Sequence, residues 1–212
     1  MAVTVTNIMA ISLDGMIGKH ALESDVERRA YDFTNTDDRD FVRDQLEHAD
    51  AVITGANSLR ASGSTWTVLN DRNVYPAWIV FTTRGLDESL AFWTQKDVQR
   101  ILVSPVPVQS DLCSASGVEN WVITEKNLTD LLTRLEARGW NRVLLFGGGS
   151  INKMFYEHGL VDFAKITLCP LIIAGVESPR FVDLGLPTPT HLSPISSVLK
   201  GDLVFLNYKV KK

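Results

Sequence analysis

The chain has 212 residues, 45% of them hydrophobic and 22% charged, which suits a globular protein with a substantial core. Its net charge of −4, with no basic block, argues against nucleic acid or an anionic membrane as a partner. Cys113 and Cys169 are too few for a disulfide framework, and no apolar run reaches membrane-spanning length. The first residues lack the basic start and long apolar core of a signal peptide, so the expected location is the cytoplasm.

In chain order, residues 3–12 read as a first strand, and Asp14-Gly15 starts a loop that continues through Gly18. A helix is expected over 37–48, with Asn35 or Thr36 as N-cap and Phe41, Val42, Leu46 and Ala49 as its buried stripe. Residues 51–54 form a short buried strand, followed by Gly55 and a helix start near Asn57. Further strands are expected at 78–82, 101–104 and 118–124. Asn127 caps a helix whose Leu128, Leu131, Leu132 and Leu135 share one face, and Gly139 ends it. A strand at 143–146 leads into Gly147-Gly148-Gly149-Ser150, after which Ile151, Met154 and Phe155 fall at helical spacing. Residues 165–168 and 204–210 alternate as antiparallel strands do, Lys200-Gly201-Asp202 reads as a turn, and 179–194 as an ordered surface connection. The expectation is one α/β domain over 1–212, with a mixed, mostly parallel central sheet flanked by helices and antiparallel strands at the C-terminal end.

Three loops follow strands and should gather at the carboxyl edge of that sheet, where open α/β sheets bind ligands. The first holds Gly55, Asn57, Ser58 and Arg60; the second Thr82, Thr83 and Arg84; the third Gly147, Gly148, Gly149, Ser150 and Ile151. Hydroxyls and arginine suit a phosphate monoester, and backbone N–H groups at a helix start suit a pyrophosphate. Together they point to a dinucleotide. Each also reads as plain structure: Asn57 or Ser58 as a cap, Thr82 to Gly85 as a turn, the glycines as a tight strand-to-helix connection. No metal site is expected. The four histidines are scattered, and neither a CxxC pair nor the HxE of a zinc-dependent base deaminase occurs.

Four segments carry a family resemblance: Ile11-Ser12-Leu13-Asp14-Gly15-Met16-Ile17-Gly18, Ala49-Asp50-Ala51-Val52-Ile53-Thr54-Gly55-Ala56-Asn57-Ser58-Leu59-Arg60-Ala61, Phe146-Gly147-Gly148-Gly149-Ser150 and Gly159-Leu160-Val161-Asp162. In order and spacing they resemble the C-terminal reductase domain of the riboflavin-biosynthesis deaminase–reductase, a domain of dihydrofolate-reductase-like fold. The resemblance implies NADPH as hydride donor, with Ser58 at a nucleotide-binding position and Thr83 near the adenosine phosphate. It places the pyrophosphate at the glycine loop and the start of its helix. It implies reduction of the ribosyl chain of a phosphoribosylamino-pyrimidine to a ribityl chain, in a homodimer. Without a deaminase motif the chain reads as a stand-alone reductase.

The substrate side departs from the pattern. Phe146 stands where the family has Glu, Ser62 where an acid follows the Arg-Ala pair, and Trp66 and Leu69 lie where a phosphate-binding arginine is expected. Thr34 and Asn35 resemble the family's polar substrate-side pair. No side chain is assigned as the proton donor; the candidates are Asp14, Asp37, Asp38 and Asp40, of which the last three also suit the first turn of a helix. The expected function is an NADPH-dependent reductase of a pyrimidine or pterin-like heterocycle. The alternatives are a dihydrofolate-type reductase and a nucleotide-binding protein without catalysis.

Overall fold

The strand Thr4–Ser12 (β1) is the centre of the architecture, and what surrounds it comes from far along the chain. A computed structural model describes residues 2–124 and 127–212. After β1 come α1 (Asp25–Arg29), α2 (Thr36–Glu47), β2 (Ala51–Gly55), α3 (Ala56–Ser62) and β3 (Ala77–Phe81). A 3-10 turn, Ala91–Thr94, precedes β4 (Arg100–Ser104), α4 (Ser110–Ser116) and β5 (Glu119–Val122). The chain continues through α5 (Leu128–Ala137), β6 (Arg142–Leu145), α6 (Gly149–Glu157) and β7 (Phe163–Cys169) to the hairpin of β8 (Leu192–Lys200) and β9 (Leu203–Val210).

The nine strands among the described residues share one sheet, ordered β5-β4-β3-β2-β6-β1-β7-β9-β8. Strands β1 to β7 run parallel, β9 pairs antiparallel with β7, and β8 antiparallel with β9. Segment 165–168 therefore serves both patterns, parallel to β1 on one side and antiparallel to β9 on the other. The inner strands β2, β3 and β4 are buried along nearly their whole length, as their continuous apolar runs require when helices cover both faces.

Alternate residues divide the core. Val5, Ile53 and Leu145 face α5 and α6, where Leu131, Leu135 and Phe155 are fully buried. Ile8, Val52 and Leu144 point the other way, against Val42 and Leu46 of α2. Farther out on that second face, Val80 and Leu102 pack with Leu59 of α3 and with Phe92. Burial of each such side chain contributes about 1.5–3 kcal/mol.

Several boundaries follow local chemistry. Asn35 caps α2, its Oδ1 accepting from the N–H groups of Asp37 (2.9 Å) and Asp38 (3.2 Å). Asn127 occupies the cap position of α5, but its side chain makes no capping bond. Phe146 lies just beyond β6 rather than within it. The stretch 179–194 is partly a seam and partly β8: Ile17 N donates to Pro179 O and Phe181 N to Gly15 O, which joins this stretch to the loop after β1. Helices α1 and α4 have no apolar stripe, and periodicity does not reveal them.

Candidate functional site

The order of the strands leaves one gap in the first winding. The chain skips a place between β1 and β2, runs outward to β5, then returns to insert β6 in the gap. Its carboxyl end is the topological switch point, where the helices on either side diverge and open a crevice. Phe146 and the triple glycine lie there.

The three glycines differ in what surrounds them. A Cβ on Gly147 would lie 2.9 Å from Ile151 Cβ, and one on Gly149 would meet the Asp183 carboxylate and lie 2.6 Å from Arg180 O. Those two are bare because the chain packs on them. Gly148 faces open space, with nothing within 4 Å of a built Cβ, and its φ of −75° is one any residue adopts. The first N–H groups of α6 have no side-chain cap and no preceding turn to bond to. An exposed hydroxyl, Ser150, stands at the same helix start.

Beside this loop, Gly55 precedes α3 and comes against Ile151, and Ser58 is exposed. Arg60 is committed elsewhere: it donates to Gly85 O (2.8 Å) and Asn57 Oδ1 (3.1 Å) and pairs with Asp87 (3.3 Å). Asn57 therefore holds an arginine rather than capping α3. Thr82 donates its hydroxyl to Gly85 O at 2.8 Å and shapes the turn after β3. The turn leaves Thr83 and Arg84 exposed. The residues fit a dinucleotide in which Gly148 and the start of α6 would take the pyrophosphate. Ser58, Thr83 and Arg84 would take a terminal phosphate.

On the α2 face lies a cavity whose lining includes Thr34, Asn35, Asp38, Trp66 and Phe146. The three residues expected on the substrate side thus meet in one place, together with one of the four candidate acids. Asp38 is 8% exposed and accepts a hydrogen bond from Thr167 of β7. Burial pushes its pKa up, the Thr167 hydroxyl opposes that shift, and the Asp25 carboxylate adds to it.

The other three acids are engaged differently. Asp14 accepts from Ser12 Oγ (2.6 Å), Ala174 N (2.7 Å) and Ile173 N (3.2 Å). Those bonds, the Ser12 hydroxyl foremost, hold its pKa down at about 2, so it is ionised and clasps two loops. Asp37 pairs with Lys200 at 2.9 Å, and Asp40 is exposed. No group of three or more metal-ligating side chains occurs among the described residues, and no helix among them is long and apolar enough to cross a membrane.

Arg28, Arg29 and Arg39, which also line the cavity, are not indicated by motif or periodicity. The Asn7–Asn152 contact behind the glycine loop also escapes sequence reading. Its parts lie on β1 and α6, far apart in the chain.

A central parallel sheet, an uncapped glycine-rich helix start and an adjoining cavity at the switch point define an open α/β fold with a ligand crevice at its carboxyl edge. The chain matches the RibD C-terminal domain family over residues 3–202 and belongs to that family. It is similar to 2,5-diamino-6-ribosylamino-4(3H)-pyrimidinone 5′-phosphate reductase of Methanothermobacter thermautotrophicus, 36% identical over 53 residues, 25% of this chain and 24% of that protein. The chain aligns with about a quarter of the length of the curated relatives it matches. Among solved structures it resembles Acinetobacter baumannii RibD, with a TM-score of 0.80 at 18% identity, covering 100% of this chain and 59% of that one. Dihydrofolate reductase from Enterococcus faecalis superposes with a TM-score of 0.57 at 14% identity over 99% and 97% of the two chains. The fold is dihydrofolate-reductase-like.

Proposed function

We propose that the protein is an NADPH-dependent reductase of a pyrimidine or pterin-like heterocycle, and that its substrate is a phosphoribosylamino-pyrimidine of riboflavin biosynthesis. The observation that carries this reading is the junction of Phe146 and Gly147. One residue lines the cavity and the next begins the glycine loop, so ligands in the two would lie side by side. Membership of the RibD C-terminal domain family and the similarity to the archaeal pyrimidinone 5′-phosphate reductase support it.

A bound reduced nicotinamide would supply the hydride. The protein's part is placement and proton supply. Phe146 and Trp66 offer flat apolar surface to a ring, and Thr34 adds a hydroxyl at the edge. Burial disfavours the Asp38 anion and raises its pKa above the ordinary carboxylate value, which suits a proton donor. In reduction of a C=N or C=O bond the carbon takes the hydride and the nitrogen or oxygen takes a proton. Asp38 is placed to donate that proton or to bond the N–H edge of the ring.

A dihydrofolate-type substrate is the second reading. It is favoured by Asp38, since a 2-amino-4-oxo ring edge presents paired N–H donors to a carboxylate. The test is loss of nicotinamide absorbance with the phosphoribosylamino-pyrimidine and, separately, with dihydrofolate. Turnover of the first supports the proposal, and turnover of the second alone supports the alternative. Tight NADPH binding with neither leaves a nucleotide-binding protein.

We place the enzyme in the cytoplasm, with both cysteines free and buried. We also propose a homodimer formed through the hairpin of β8 and β9. Strand β8 is an unpaired edge that exposes Ile195, Val198 and Leu199. Sedimentation as a monomer at micromolar concentration would remove that part of the proposal.

A further inference from the structure

Helix α1 buries no residue, so the core does not explain why the chain forms it. A capping box stabilises it: Glu27 N donates to Ser24 Oγ and Ser24 N to Glu27 Oε2 (2.7 Å). What α1 accomplishes is placement. It sets Arg28 and Arg29 on the lining of the Asp38 cavity, to which α2 contributes Arg39.

Arg28 is positioned from beneath by Glu23, which is 3% exposed and lies 3.7 Å from Arg28 Nε. Glu23 is itself held by Lys19 N (2.9 Å) and Tyr31 Oη (2.8 Å). It fits only because Gly18 has no side chain, since a Cβ there would come within 2.6 Å of Glu23 Oε2. Arg28 Nε is buried without a hydrogen-bond acceptor. Arg29 and Arg39 are exposed and make no ion pair among the described residues, and Arg39 lies over the Trp66 ring, 5.8 Å from its centroid. Three guanidinium groups thus share one cavity, whose lining also holds the carboxyl groups of Asp25 and Asp38. Glu23 partly compensates Arg28, whereas Arg29 and Arg39 have no ion-pair partner among the described residues, and guanidinium groups so placed suit a bound anion.

We infer that Arg28, Arg29 and Arg39 form a phosphate subsite that binds the phosphomonoester of the substrate while its ring lies against Trp66 and Phe146. This rests on the reductase reading for the ring but not for the anion. It supplies from α1 and α2 the charge that the segment around Trp66 and Leu69 lacks. Guanidinium groups suit the role because each can bond two phosphate oxygens at once.

The test uses the whole protein and ribose 5-phosphate, with ribose as control, by titration calorimetry at low and high salt. Wild type should bind ribose 5-phosphate and not ribose, with affinity falling as salt rises. Arg29→Ala and Arg39→Ala, singly and together, should weaken it, the pair by about ten-fold or more, because bonds to charged groups contribute more than neutral ones. Both positions are exposed and unpaired, so thermal midpoints and NADPH affinity should hold. Arg39→Lys should restore part of the loss. In turnover, the ratio of KM values for the dephosphorylated and phosphorylated pyrimidine should collapse in the double variant. The subsite is overturned if the double variant leaves both the ribose 5-phosphate affinity and the KM ratio at wild-type values. Arginine-dependent ribose 5-phosphate binding without any pyrimidine turnover would instead keep the subsite and reject the pyrimidine as the reduced substrate.

Discussion

Asn152 of α6 joins two parts of the protein that no strand pairing connects. Its Oδ1 accepts from Asn7 Nδ2 of β1 at 3.2 Å, and its own Nδ2 donates to Phe181 O at 2.7 Å. Both asparagines are fully buried. Behind the glycine loop, the central strand, the helix start and the segment that crosses Gly149 are therefore held by one side chain. Asn152→Leu should cost about 1–3 kcal/mol of unfolding free energy, because the Phe181 carbonyl and the Asn7 amide each lose a partner in a dry site. Urea unfolding checks the magnitude. NADPH affinity should also fall, since the helix start loses its support.

Gly148 and Gly149 should respond in opposite ways. Gly148→Val has an allowed backbone and open space around it, so its thermal midpoint should match wild type while NADPH binding is lost to steric obstruction. Gly149→Ala would push a methyl group into Asp183 and the Arg180 carbonyl, so it should lower the midpoint. Melting curves paired with cofactor titration separate the two, and unimpaired NADPH binding by Gly148→Val would misplace the pyrophosphate.

Arg84 and Arg60 form a second contrasting pair. Arg84 is exposed, and Arg84→Ala should weaken NADPH by about 1.5–3 kcal/mol, with little effect on NADH. Arg60 ties α3 to the turn after β3, so Arg60→Ala should chiefly lower thermal stability. Equal affinity of wild type for the two cofactors would reject the 2′-phosphate assignment.

Asp38 makes stability depend on pH in a definite direction. Its folded pKa lies above the ordinary 3.8 because of burial. Below that ordinary value both folded and unfolded chains are protonated, and no penalty exists. As pH rises the unfolded chain ionises first, so folding loses stability until the folded pKa is passed. Asp38→Asn, which keeps an acceptor for Thr167, should therefore melt higher than wild type at neutral pH and equally near about pH 3. Turnover should fall in the same variant. A melting difference that stays constant over this range would mean that Asp38 is not the titrating group.

Phe146→Glu places a third carboxyl group in the cavity that Asp25 and Asp38 already line. If the missing family acid limits recognition of the phosphoribosylamino-pyrimidine, turnover of that substrate should rise. The thermal midpoint should fall, because an anion replaces a ring packed beside Trp66. Robust wild-type turnover that the substitution leaves unchanged would show that the acid is not needed here.

Much of this arrangement is legible in the residues. The runs at 51–54 and 143–146 and the leucine stripe of α5 mark their elements because burial on one or both faces demands such patterns. The glycine loop stands out because only glycine admits the packing seen at Gly147 and Gly149. Choosing among Asp37, Asp38 and Asp40 was also within reach. Asp38, Val42 and Leu46 recur every four residues, which places the carboxyl on the buried stripe of α2. What periodicity could not give is α1, whose five residues have no apolar face and matter only through Arg28 and Arg29. Nor could it reveal that Arg60 and Thr82 serve the turn at Gly85 while Arg84 stays free, since local sequence does not distinguish a guanidinium that is occupied from one that is not.

The central position of β1 has a consequence for synthesis. The first strand of this fold pairs only with β6 and β7, so from residue 4 to residue 142 it has no neighbour in the sheet. Its apolar face must wait, exposed or guarded by chaperones, while β2 to β5 emerge. Loop closure over such separations is slow, and the sheet cannot be completed from its N-terminal end. Nascent chains halted before β6 should therefore be sensitive to protease along β1. Chains extended through β7 should gain protection there in a single cooperative step, at the point when the crevice itself comes into being.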